Sequence, residues 1–190
     1  MALSQYAYLG LLALVGLLRL VELRISAQNQ KRLAAQGVAR AAEPHFRWMV
    51  LLHTGVLIAA ALEVVLLRRP LIPALAIPMG ALFLLASALR WWVIATMAGH
   101  WNVQVMASTR LGVVTRGPFR WVRHPNYAAV YVELIVLPLI HTAWIAALLA
   151  AIGNTWILSQ RLAVEEKVLA ADPVYRAEML SKPRFLPRLF

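Results

Sequence analysis

Apolar residues in this chain gather into long runs separated by short polar segments. Five runs stand out, at residues 3–23, 48–67, 71–98, 126–140 and 143–160. A bilayer core is crossed by about 20 helical residues, so the runs predict an all-α integral membrane protein with about five transmembrane helices. Arg19 and Glu22 interrupt the first run near its end, and Arg68, Arg69 and Pro70 close the second. Pro73 and Pro78 lie near the start of the third, and Trp91 and Trp92 give its far end interfacial character. Residues 26–40 are polar and basic and read as a helical loop. His141 and Thr142 form a short turn between the last two runs. The expected organisation is a single membrane domain over residues 1–190.

Two polar regions remain, at residues 100–127 and 161–187. The first is rich in Arg, Asn, Gln and Thr and is punctuated by glycine and proline. Its stretches 102–106 and 112–115 are predicted to be short extended pieces. The second reads as an amphiphilic helix, interrupted at Asp172 and Pro173, followed by a proline-containing tail.

Composition supports lipid as the solvent. Of the 190 residues, 62% are apolar and 14% charged, too few charges to cover a water-soluble surface. The net charge of +11 would favour nucleic acid in a soluble protein. Here the basic residues lie between apolar runs, so membrane lipid headgroups are the expected partners and nucleic acid is not. With five spans, the Arg24–Arg47 and Arg110–Arg123 segments and the tail from Arg161 share one face. The positive-inside rule makes that face cytoplasmic. The absence of cysteine excludes disulfides, thiolate metal sites and cysteine nucleophiles. Five scattered histidines give no expectation of a metal site, and no phosphate loop, zinc-protease or serine-hydrolase motif is present.

Two clusters carry candidate chemistry. In Arg123-His124-Pro125-Asn126-Tyr127, proline suits the first helical position and His124 falls near the N-cap. Unpaired N–H groups and a positive dipole end there suit a carboxylate, with Tyr127 in the first turn. A basic helix entry anchored at headgroups explains the same residues. In the second cluster Arg161 and Glu165 are one turn apart on one face, with Glu166 beside them. They form either an ordinary ion pair or part of a cavity lining at the membrane boundary. Within the runs, His53 reads as a packing histidine and Glu63 as a structural group near a span end. Glu133 is placed to pair with Arg90 or to line an acceptor cavity.

The second half of the chain resembles the isoprenylcysteine carboxyl methyltransferase family. The likeness rests on Arg123-His124-Pro125-Asn126-Tyr127, the Arg161 to Glu165-Glu166 spacing, Tyr175, and Arg184-Phe185-Leu186-Pro187. It implies an S-adenosylmethionine-dependent methyltransferase acting on a lipophilic or lipid-modified acceptor, with O-methylation of a carboxylate or phenol. It also implies a cofactor site on the cytoplasmic face. By that resemblance the cofactor is bound by Gln104, Leu111, Gly112, Val113, Val114, Phe119, His124, Pro125, Asn126, Tyr127 and Glu165. Arg161 faces the acceptor, and Arg161 and Glu165 are the expected catalytic pair. A phospholipid or amine N-methyltransferase and an NADPH-dependent sterol-reductase-like enzyme are the other enzymatic readings. A transporter would show paired broken helices, and none are evident.

Overall fold

Residues 24–36 contain neither proline nor glycine, so nothing in the sequence stops the first helix at the bilayer edge. In the computed structural model, which describes residues 2–43, 45–107 and 112–187, that helix runs unbroken as α1, Leu3–Ala35. At about 50 Å it extends well past a bilayer core. The segment expected to be a separate loop is its polar extension. Gly37 ends it with φ of 76°, a left-handed turn that suits a residue without Cβ, while its N–H donates to the Ala34 carbonyl at 3.0 Å.

The remaining helices are α2 (Phe46–Leu66), α3 (Pro73–Met97), α4 (Pro125–Leu139), α5 (Trp144–Leu169) and α6 (Pro173–Met179). Proline occupies the first turn of α3, α4 and α6, where no amide hydrogen is needed. α1, α2, α3 and α5 are long and apolar enough to cross a membrane. α4 is apolar and its 15 residues match the fourth run expected from sequence, but at about 22 Å it is shorter than the bilayer core. Pro125 fixes its start, and the turn at His141 and Thr142, with Thr142 at φ of 55°, fixes its end. It packs between α3 and α5.

The last apolar run and the amphiphilic segment after it form one helix, α5. Glu63 closes its N-terminus by accepting from the N–H groups of Ile145 at 3.2 Å and Ala146 at 2.9 Å, while Arg69 binds the same carboxylate. This is the structural role expected for Glu63. Tyr8, Leu12, Ala60, Val64, Phe83 and Leu137 form the main apolar cluster. Buried Ala146, Ala147 and Ala150 let α5 approach its neighbours closely. Leu62, Leu84, Leu148 and Ile152 point outward and exposed, as a lipid-facing surface requires.

Successive helices alternate in direction, so the basic segments collect at one end. There β1 (Ala39–Arg40) pairs antiparallel with β2 (Met106–Ala107). Of the two extended pieces expected, the first meets this ladder only at Met106, and residues 112–115 carry no strand. The α1 extension holds the connection: Asn29 donates to the carbonyls of Ala98 and Trp101, and Ser26 Oγ accepts from the Val103 N–H. The tail closes the same end. Its Pro183 and Arg184 carbonyls accept from the N–H groups of Arg123 and His124, both at 2.9 Å.

Candidate active site

The start of α4 and the end of α5 meet over a cavity of about 670 Å³ that opens into the helix bundle, a volume typical of small-ligand sites. His124 is the N-cap of α4 and Pro125 its first residue, as the sequence predicts. The N–H groups of Arg123 and His124 are already taken by the tail. Those of Asn126 and Tyr127, in the first turn, have no acceptor within the helix.

Adjacent glutamates on α5 point to different tasks, since neighbouring helical positions are about 100° apart. Glu165 lines the cavity and accepts a hydrogen bond from the Tyr127 hydroxyl. Glu166 faces the tail and the α4 entry. It binds Arg184 through Nε at 3.0 Å and Nη2 at 2.7 Å, Arg123 Nη1 at 3.0 Å, and His124 Nε2 at 3.2 Å. Burial holds the His124 imidazole below its ordinary range against the pull of Glu165 and Glu166, so the ring is neutral near pH 7. Tyr175 of α6 packs beneath this cluster, and burial, reinforced by Glu165, pushes its phenol up to about 12.

Arg161 does not pair with Glu165. Its Nε lies 3.3 Å from Glu43 Oε2, its Nη2 donates to the Val103 carbonyl at 2.8 Å, and Nη1 contacts the Met49 sulfur. Its guanidinium carbon sits 5.7 Å from the Tyr127 ring centroid, a cation–π distance. Glu43 also accepts from the Val105 N–H. Sequence reasoning missed Glu43. Its one signal was being the single acid in the basic stretch between Arg24 and Arg47.

Gln104, Phe119, Arg123, His124, Asn126 and Tyr127 all border this cavity, with Pro125, Arg161 and Glu165. Gly112, Val113 and Val114 do not. They border a second cavity of about 660 Å³, beside Arg32, Thr96 and His100. Gly112 has a φ of 70° and borders this second cavity with Val113 and Val114. Leu111 lies outside the described residues. His53, expected as a packing residue, is instead on the wall of the first cavity. Glu133 is on that wall too, and its partners are Arg19 at 3.2 Å and Ser87 at 2.7 Å, not Arg90. Arg90 binds Glu22.

The sequence model of the isoprenylcysteine carboxyl methyltransferase (ICMT) family matches residues 77–171, which hold most of α3, the connection after it, α4 and all of α5. The chain belongs to this family. As an ICMT-family protein with four long apolar helices it is a multi-pass membrane methyltransferase. It is also 29% identical over 160 residues to a protein named "Uncharacterized protein YpbQ" from Bacillus subtilis (strain 168), covering 84% of this chain and 94% of that one. That likeness takes in much of the N-terminal half, beyond the reach of the family match.

Proposed function

We propose that this ICMT-family protein uses S-adenosylmethionine to methylate an acidic oxygen, carboxylate or phenol, on a lipophilic acceptor. The observation that carries the reading is the first cavity, which joins the Tyr127–Glu165 pair to Arg161 and continues among apolar helix faces.

The donor set fits the cofactor. Asn102 Oδ1, Asn126 Oδ1 and Arg123 Nε are buried on this cavity with no hydrogen-bond partner among the described residues. Two acceptors and one cationic donor suit hydroxyl or ammonium groups together with a carboxylate. Glu165 offers a further acceptor for ammonium or ribose, and Phe119 and Gln104 border the same space. The proposal rests on the residues that share this cavity and not on Gly112, Val113 and Val114. When bound, the cofactor supplies an already activated methyl group.

The protein's task is then alignment of acceptor oxygen, methyl carbon and sulfur. Tyr127 borders that space while its hydroxyl fixes Glu165. Arg161 orients the acceptor oxyanion, and Glu43 and the Val103 carbonyl hold the guanidinium in place. A carboxylate needs no base at neutral pH. A phenol, with an ordinary pKa near 10, gains from the cation beside it. The basic end of the bundle is assigned to the cytoplasm, where the cofactor enters.

Incubating detergent-purified protein with methyl-labelled cofactor and a panel of prenylcysteines, fatty acids, alkylphenols and amino lipids tests this. Label in a base-labile ester or an aryl ether is expected. Label confined to amines would replace the reading with N-methylation, and transfer to no acceptor would remove it.

A further inference from the structure

Below the level of Tyr127 and Arg161 the cavity wall is not uniformly apolar. One polar level crosses it, and each of α1 to α5 contributes: Arg19 and Glu22, His53, Arg90, Glu133 and Asn154. Glu133 lies six residues further into α4 than Tyr127, and Asn154 seven further into α5 than Arg161. The level is therefore roughly 9–11 Å deeper in the bundle. Deeper still the wall turns apolar again, at Ala13, Val15, Leu57, Phe83 and Leu137.

The charges within this level are matched among themselves. Glu22 accepts from Arg19 at 2.8 Å and from Arg90 Nε at 3.0 Å, and Glu133 accepts from Arg19 and Ser87. The belt thus has no unpaired charge for an ionic ligand group. It does have an unpaired polar atom. His53 lies against Asn154, and its Nε2 is buried with no partner among the described residues. A plain hydrocarbon chain passing this level would leave that nitrogen unsatisfied and press methylenes against ion pairs. A hydroxyl or carbonyl at the same depth would remove both penalties.

Resting on the methyl-transfer reading above, we propose that the acceptor is a three-part amphiphile. It carries the oxygen to be methylated, a neutral hydrogen-bonding group roughly 9–11 Å further along, and an apolar tail beyond. His53 is the residue that selects the middle group.

The test compares hexadecanoic acid with 8-hydroxyhexadecanoic acid on the full chain in detergent. Binding is measured by calorimetry with S-adenosylhomocysteine present, and methyl transfer with labelled cofactor. The hydroxy acid is expected to bind at least about tenfold more tightly. His53→Leu should erase that preference without weakening the plain acid, and His53→Gln, which keeps a hydrogen-bonding group, should retain it. Equal affinities in the unaltered protein, binding of neither acid, or a preference untouched in a folded His53→Leu variant would overturn the proposal. Methyl transfer to both acids without preference would overturn the belt and leave the methyltransferase reading standing. Tight, His53-dependent binding of the hydroxy acid without transfer would support the belt and overturn the proposed activity.

Discussion

At Arg161 a single side chain joins three parts of the chain: Glu43 before α2, Met49 within it, and the Val103 carbonyl before β2. A guanidinium so held presents a fixed cation to the cavity, which a flexible surface arginine would not. Arg161→Ala should lower turnover at least about a hundredfold, the scale of losing one preorganised charge donor, while cofactor binding partly survives. Steady-state methyl transfer checks it, and normal turnover would remove Arg161 from the acceptor site. Much of this was readable in sequence, because Arg161 and Glu165 are one turn apart on one helix and His124 to Tyr127 form one helix start. Glu43 was not, because its meeting with Arg161 depends on how the β1–β2 ladder folds the loop over α5. The place of His53 on the cavity wall was hidden for a related reason: a lone histidine in an apolar run looks the same whether it faces a neighbour or a cavity.

Helix ends divide in the same way. Pro125 and Pro173 announce the starts of α4 and α6 in sequence, and Asp172 caps the latter by accepting from the N–H groups of Val174 at 2.8 Å and Tyr175 at 3.3 Å. Asp172→Ala should cost about 1 kcal/mol, read as a lower thermal midpoint in detergent. An unchanged midpoint would show that packing of Tyr175 and Met179 alone fixes α6. The length of α1 was not legible from hydropathy, since the apolar run stops near Leu23 while the helix continues to Ala35. Helix formers without glycine or proline sustain it, and its buried Ser26 and Asn29 bond the 98–105 connection. The extent of α4 was legible: its 15 residues match the run at 126–140, which stops at the turn of His141 and Thr142.

Across the whole molecule, alternating helices bring every strongly basic segment to the end that holds the proposed cofactor site. A chain with no cysteine lets that arrangement be mapped cleanly. Single cysteines replacing Lys31 or Ala171 should resist a membrane-impermeant thiol reagent in intact cells, and one replacing Arg68 should react. The reverse pattern would put the basic end outside. The order of the five apolar helices, four of them long enough to cross a membrane, and the meeting of α4 with α5 followed from the spacing of apolar runs. The division of the expected cofactor residues around two cavities, with Gly112, Val113 and Val114 on the second, is not something hydropathy reveals.

Calorimetric titration of S-adenosylmethionine into the purified protein and its Glu165→Ala variant bears most directly on the shared α4–α5 site. Saturable one-site binding by the unaltered chain, weakened at least about tenfold in the variant by loss of a charged hydrogen-bond acceptor, is the expected result. No binding, or the same affinity in both proteins, would contradict it.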